Sequence, residues 1–157
     1  MISIGESLPL ASFQCLTKEG MQNPDTAKLF GGKRVILFAV PGAFTPTCSE
    51  AHLPGYVINA DKFKKKGIDS IICVAVNDAF VMSAWGKAQN AEALILVADG
   101  DASFTKAIGL EMDTGAFGGI RSQRYAMLVE NAVVKILNVE KPKQFEVSTA
   151  EAMLALI

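Results

Sequence analysis

The sequence predicts an α/β fold, a central mixed sheet flanked by helices, in one domain spanning residues 1–157. Three observations carry that reading. Apolar runs of strand length, rich in Val and Ile, occur at 33–40 (KRVILFAV), 70–76 (SIICVAV) and 93–98 (ALILVA). Segments with helical spacing of apolar residues connect them, and two further strand-like stretches flank a two-residue turn near the C-terminus. Crossover helices make the first strands parallel, and the terminal hairpin adds antiparallel ones. No repeat, low-complexity tract or Ser/Pro-rich linker divides the chain, whose length is that of one ordinary domain.

The elements follow in order. Pro41-Gly42 ends the strand at 33–40. From 46 to about 66, Leu53, Val57, Ala60 and Phe63 recur near helical spacing. Thr45 then reads as N-cap and Pro46 as first helical residue. Lys62, Lys64, Lys65 and Lys66 close the segment as a solvated last turn, where cations suit a helix C-terminus. The strand at 70–76 leads through Asn77-Asp78 into a helix at 79–89, and Asp99-Gly100-Asp101 turns the chain after the strand at 93–98. A short helix at 104–109 and a loop at 115–119 precede strands at 124–130 and 133–139, joined at Asn131-Ala132. Ser148 and Glu151 have capping-box spacing ahead of a final helix ending near Ile157.

Composition excludes several classes. Half of the residues are hydrophobic and 20% are charged, enough for a core and unlike a disordered, collagenous or coiled-coil chain. Fifteen Lys+Arg against 16 Asp+Glu leave a net charge of −1, so the electrostatic signature of a nucleic-acid or anionic-membrane partner is missing. The longest apolar run, 35–41, is far short of the roughly 20 residues that span a bilayer. The opening MISIGESLPLASF shows no basic segment followed by an apolar core, so no signal peptide is expected. Three cysteines, an odd number, are too few for a disulfide scaffold and suggest reduced thiols in the cytoplasm. With one histidine and no paired ligand spacing, neither a metal site nor a cofactor is expected.

Chemistry in such sheets tends to sit beyond the carboxyl ends of the strands, which directs attention to 41–50, PGAFTPTCSE. Cys48 falls in the first turn of the helix, where free N–H groups and the helix dipole favour a thiolate, the nucleophilic form. A small buried hydrophobe is the plainer alternative. Arg121 and Arg124 are expected to begin a downstream strand of the same sheet and so to supply a fixed cation. There is no Cys-x-x-Cys, because Thr45 stands where its first cysteine would be, so a dithiol exchange centre of that kind is absent. His52, four residues after Cys48, could form a Cys–His dyad, but a ring covering the helix surface is the favoured reading.

The string PGAFTPTCSEAHLPGY resembles the peroxiredoxins, whose signature P-x-x-x-T/S-x-x-C is met by Pro41, Thr45 and Cys48. VNDAFVMSAWGK at 76–87 and RSQRYAMLVENAVVKILNVE at 121–140 are similar to the type-II, peroxiredoxin-5-like branch. The resemblance implies a thioredoxin-like fold and thiol-dependent reduction of hydrogen peroxide and alkyl hydroperoxides. It makes Cys48 the peroxidatic thiol, which becomes a sulfenic acid, and Thr45 and Arg124 its hydroxyl and arginine partners. Arg124 would hold the thiolate and stabilise the developing oxygen charge, Thr45 would orient the peroxide, and Pro41 would shield the thiolate from water. Arg121 would be a second basic neighbour, and Phe117 either lines the substrate pocket or simply packs.

A homodimer is likewise implied, as is recycling by an external thiol, glutathione with glutaredoxin or thioredoxin. A redox-sensing or chaperone-like binding protein on the same fold is the alternative, against which Thr45, Cys48 and Arg124 stand together. The branch often carries a late resolving cysteine, but 141–151 (KPKQFEVSTAE) contains none. Cys73, 25 residues after Cys48, has a spacing similar to the cysteine pair of plant type-II enzymes. It lies in an apolar strand, however, so a structural role competes with a resolving one. Cys15 reads as structural. The expectation is a one-cysteine cycle.

Overall fold

The computed structural model describes residues 1–157. Strands β1 (Cys15–Thr17) and β2 (Gly20–Gln22) and helix α1 (Thr26–Phe30) lead into β3 (Arg34–Ala39). A π-helical turn, Cys48–His52, then runs into α2 (Leu53–Lys65), followed by β4 (Ser70–Ala75), α3 (Ala79–Ala88), β5 (Ile95–Ala98) and α4 (Ser103–Ala107). The remainder comprises β6 (Glu111–Asp113), a 3-10 turn at Gly115–Phe117, β7 (Ile120–Ser122), β8 (Tyr125–Glu130), β9 (Val133–Val139) and α5 (Ala150–Leu154).

The central sheet is mixed, in the order β5-β4-β3-β8-β9. β3 pairs in parallel with β4 and antiparallel with β8, and β4 pairs in parallel with β5. Successive side chains of a strand point to opposite faces, and both faces are covered. Ile36, Phe38, Cys73, Ala126 and Leu128 pack under α2, α3 and α5. Val35, Leu37, Ala39, Ile72, Val74 and Met127 pack on the other face with Phe30 of α1 and Phe104 of α4. This double burial explains the unbroken apolar runs of β3 and β4. Asn131 and Ala132 both take positive φ, 46° and 63°, the pairing a tight two-residue hairpin turn requires.

The expected main-sheet strands and the helix at 79–89 are present within a residue or two of their predicted limits. Three differences have physical causes. The segment 46–66 is not one regular helix, because Pro54 at the start of α2 lacks the N–H that a continuing α-helix needs. The backbone adjusts in the π-helical turn just before it, where the Leu53 N–H bonds back to the Cys48 carbonyl. Arg121 lies in β7, which pairs only with β6 in a separate two-stranded sheet, whereas Arg124 immediately precedes β8 of the central sheet. The last helix is capped by Thr149, whose hydroxyl accepts the Ala152 N–H at 3.0 Å; Ser148 is turned inward to a carboxylate instead. The three-residue pairs β1–β2 and β6–β7 lacked any alternating pattern long enough to predict.

Leu37 occupies the middle of β3 and is 1% exposed. Leu37→Ala is expected to cost about 2–5 kcal/mol, read in urea unfolding as a lower midpoint at unchanged slope.

Candidate active site

The loop after β3 carries the candidate residues into place. The Ala43 N–H donates to Asn77 Oδ1 at 3.0 Å, which ties this loop to the end of β4. Phe44 turns the chain with φ 63°. Thr45 is the N-cap in backbone terms, its carbonyl accepting the Ser49 N–H at 2.9 Å. Its hydroxyl does not cap the helix but donates to the Gly42 carbonyl at 2.7 Å. Cys48 falls in the first turn, where backbone N–H groups lack intrahelical acceptors. The next residue, Ser49, accepts a bond from Trp85 Nε1 of α3 at 2.9 Å.

Arg124 connects the site. Its Nη2 donates to Cys48 Sγ at 3.1 Å, and its Nη1 donates to His52 Nδ1 at 2.9 Å. Its guanidinium carbon lies 5.8 Å from the centre of the Phe145 ring. On its far side, the imidazole Nε2 lies 3.0 Å from the Ser148 carbonyl, which also accepts from the Tyr56 hydroxyl at 2.8 Å. A carbonyl only accepts and a guanidinium only donates, so His52 is the neutral tautomer with its hydrogen on Nε2. Burial pushes the pKa of His52 down to about 3; the Arg124 charge adds to that, and the Ser148 bond opposes it. The ring packs against Phe38 at 4.9 Å and Phe145 at 5.0 Å between centroids.

His52 therefore does not cover the helix surface, as its spacing suggested. It is 0% exposed, because the π-helical turn directs it inward and both ring nitrogens find partners there. Those partners also leave no nitrogen for a Cys–His dyad.

A residue that the sequence did not single out also shapes the site. Glu140 is buried at the end of β9, and its Oε2 accepts the N–H groups of Glu146, Val147 and Ser148 at 2.8–2.9 Å and the Ser148 hydroxyl at 2.7 Å. The segment 141–148 is thus folded around one carboxylate oxygen. Its fold brings the Phe145 ring and the Ser148 carbonyl to His52. The Glu140 N–H also donates to the Arg124 carbonyl at 2.9 Å. No short-range motif advertises this arrangement; a lone acid between an apolar strand and a loop is the only trace in the sequence.

The remaining candidates are placed less centrally. Pro41, Thr47, Met112, Arg124, Lys143 and Phe145 line a cavity of about 490 Å³ beside Cys48. Neither Arg121 nor Phe117 belongs to its wall. Arg121 donates from Nε to the Gly118 carbonyl at 3.0 Å and from Nη1 to the Val76 carbonyl at 2.8 Å, so it braces loops instead of touching Cys48. A Cβ on Gly118 would stand 2.7 Å from that guanidinium, which explains the glycine. Phe117 is 71% exposed.

All three cysteines are free. Cys48 and Cys73 are fully buried in the core beneath α2 and α3. Burial pushes the Cys73 thiol well above its usual pKa; Cys48 pushes the same way and Arg124 opposes. Cys15 is half-buried in β1, its thiol pKa also raised by burial, and its Sγ donates to the Leu96 carbonyl at 3.4 Å.

The Redoxin family profile matches residues 4–154 of the chain. Peroxiredoxin-2D of Arabidopsis thaliana is 46% identical over 156 residues, covering 98% of this chain and 96% of that protein. Peroxiredoxin-2E-2, chloroplastic, of Oryza sativa subsp. japonica is 45% identical over 161 residues, covering 98% of this chain and 71% of that one. Among solved structures, reduced Prx3 from Vibrio vulnificus in complex with hydrogen peroxide superposes with a TM-score of 0.98 at 65% identity, covering 99% of each chain. The fold is thus the thioredoxin-like peroxiredoxin fold that the resemblance implied.

His52 is the only histidine in the chain, which makes its titration separable. Between its folded value of about 3 and its ordinary 6.5, the unfolded chain binds a proton that the folded chain refuses. Stability is expected to fall as pH drops below about 6.5, by up to about 1.4 kcal/mol per unit. Urea midpoints between pH 7 and pH 5 check this. His52→Asn, which has no imidazole, should lose the slope, and equal slopes in both proteins would assign it to another group.

Proposed function

The chain belongs to the redoxin family and, within it, to the type-II peroxiredoxins, and we propose a catalytic cycle run by Cys48 as the peroxidatic thiol. The protein is a thiol peroxidase, reducing peroxides with electrons from thiols. The observation that carries the assignment to Cys48 is the 3.1 Å contact from Arg124 Nη2 to its sulfur. Arg124 is a permanent cation with directed donors, and neither Cys15 nor Cys73 has such a donor.

In the first step the Cys48 thiolate attacks the terminal oxygen of the hydroperoxide as the O–O bond breaks. The bonding pair leaves on the distal oxygen, which takes up a proton as water or alcohol, and the sulfur becomes a sulfenic acid. Arg124 stabilises the charge that develops on the departing oxygen. Because the Thr45 hydroxyl donates its own hydrogen to Gly42, its lone pairs are free to accept the O–H of the peroxide and orient it. The Cys48 N–H supplies a further donor, and Pro41 on the cavity wall keeps water from the sulfur.

Recycling proceeds through an external thiol. One thiol condenses with the sulfenic acid and releases water, and a second thiol frees Cys48 as a disulfide leaves. Glutathione with glutaredoxin suits the cavity better than a protein dithiol such as thioredoxin alone. About 490 Å³ is far more than hydrogen peroxide needs, and Arg124, Lys141 and Lys143 give the wall a positive character for a carboxylate-bearing thiol. Cys73 has a structural role in this cycle. It is held inside β4, paired with Phe38 of β3, where burial pushes its thiol well above the usual pKa.

A homodimer and a cytoplasmic setting complete the proposal. Phe44, Phe80 and Phe117 are 56%, 66% and 71% exposed. They sit on segments that Asn77 and Arg121 bind to one another, and exposed aromatic rings of this kind favour association. Three free thiols accord with a reducing compartment.

Cys48→Ser is expected to abolish peroxide consumption while the fold persists by circular dichroism, since an alcohol is not ionised near neutral pH. Activity above a few per cent of wild type would move the reaction to another residue. Cys73→Ser should keep wild-type turnover with glutathione and glutaredoxin, and the mass of the oxidised wild type should show no Cys48–Cys73 disulfide. A disulfide together with lost turnover would make Cys73 the resolving thiol.

A further inference from the structure

We propose that His52 is a positioning residue for Arg124, a neutral acceptor that aims the guanidinium at Cys48 Sγ without discharging it. The proposal rests on the peroxidase reading of Cys48 and deepens it. A half-buried guanidinium presents five N–H donors, and its direction is set by whichever acceptors it finds. The usual partner is a carboxylate, which binds the planar fork through two parallel bonds. Arg124 has none, because the one ion pair within 4.0 Å anywhere in the chain is Arg34 with Glu130. The acid on the same cavity wall, Glu140, spends its Oε2 on three backbone amides and a hydroxyl.

The electrostatic consequence is specific. A carboxylate at 2.9 Å would hold Arg124 well but cancel most of its charge, and that cancellation is felt most strongly away from bulk water. A neutral imidazole supplies the lone pair and the direction while the positive charge stays available to the sulfur and to the oxygen that leaves. The groups facing His52 fit this division of labour. They are Cys48 on its own turn, Tyr56 on α2, Arg124 ahead of β8, and the Ser148 carbonyl in the segment that Glu140 organises.

The imidazole is itself fixed. Its Nε2–H bonds to the Ser148 carbonyl, and its ring is enclosed by Phe38, Tyr56 and Phe145. A line of contacts therefore runs from Glu140 through Ser148, His52 and Arg124 to the reacting sulfur. If the histidine were only core filling, an aromatic ring of similar size would serve as well, and the sign of charge at this position would not matter to the chemistry.

Three variants separate these cases when the rate of Cys48 oxidation by hydrogen peroxide is followed by stopped flow, with folding checked by thermal unfolding. The wild-type rate, measured first, tests the peroxidase reading by itself. His52→Phe keeps the ring and removes the acceptor, and is expected to slow oxidation on the order of tenfold or more. His52→Asn places an amide oxygen near the Nδ1 position and should retain most of the rate. His52→Asp has nearly the same shape and can hold Arg124 at least as well, yet should be as slow as His52→Phe because it discharges the cation. A wild-type rate in His52→Phe would overturn the proposal. So would equal rates in His52→Asn and His52→Asp, a comparison that stands even if the Phe variant does not fold.

Discussion

A thiol that must react as a thiolate while buried in a protein core needs a cation that stays charged and stays aimed. In the proposed cycle the contact between Arg124 and Cys48 meets that need, and much of the local architecture supports that contact. Arg124 is delivered by the start of β8, next to the strand whose C-terminal end feeds the Cys48 loop. The antiparallel register Ala39↔Tyr125 brings the end of one strand and the beginning of the other to the same edge of the sheet. Cys48 rides on the first turn of a helix that the loop after Ala39 must immediately start. The π-helical turn then sends both Cys48 and His52 into the interior.

The loop that follows β9 is the second half of the same solution. A chain of irregular backbone near the core exposes amides that need acceptors, and Glu140 takes three of them at once. Burying a carboxylate is unfavourable unless its oxygens are hydrogen-bonded, and here those bonds also define the shape of the loop. The Ser148 carbonyl, presented by that loop, accepts from both His52 and Tyr56 and so joins α2 to the C-terminal segment. Aromatic stacking of Phe38 on Tyr56, with centroids 4.1 Å apart, keeps the floor of the site tied to the central strand.

The three cysteines show how strongly position governs thiol chemistry. Cys73 and Cys48 share one apolar cluster, yet only Cys48 receives a donor from Arg124. Cys73 sits in the middle of a doubly covered strand, where desolvation pushes its thiol toward the neutral, inert form. Cys15 points its sulfur at a carbonyl, which only an S–H can satisfy. In the proposed cycle, one reactive thiol among three is thus selected by its surroundings and not by the cysteines themselves.

Much of this protein was legible in its sequence because the signals are local. The strand runs KRVILFAV and SIICVAV announce a doubly covered sheet, Asn131-Ala132 marks the hairpin, and Thr45-Pro46 marks the helix that brings Cys48 to its first turn. Periodicity and turn chemistry extend over a few residues, and so do these features. The partners of Cys48 are of another kind. Arg124 is 76 residues away in sequence, and His52 finds its acceptor 96 residues away at Ser148. The family resemblance pointed to Arg124, but nothing in the spacing separated it from Arg121, which the fold uses as a brace. Nor could spacing show that His52 turns inward or that Glu140 gathers the loop amides. Those outcomes depend on directions of hydrogen bonds between distant segments, and such directions exist only once the sheet has set the strands in register and the core has excluded water.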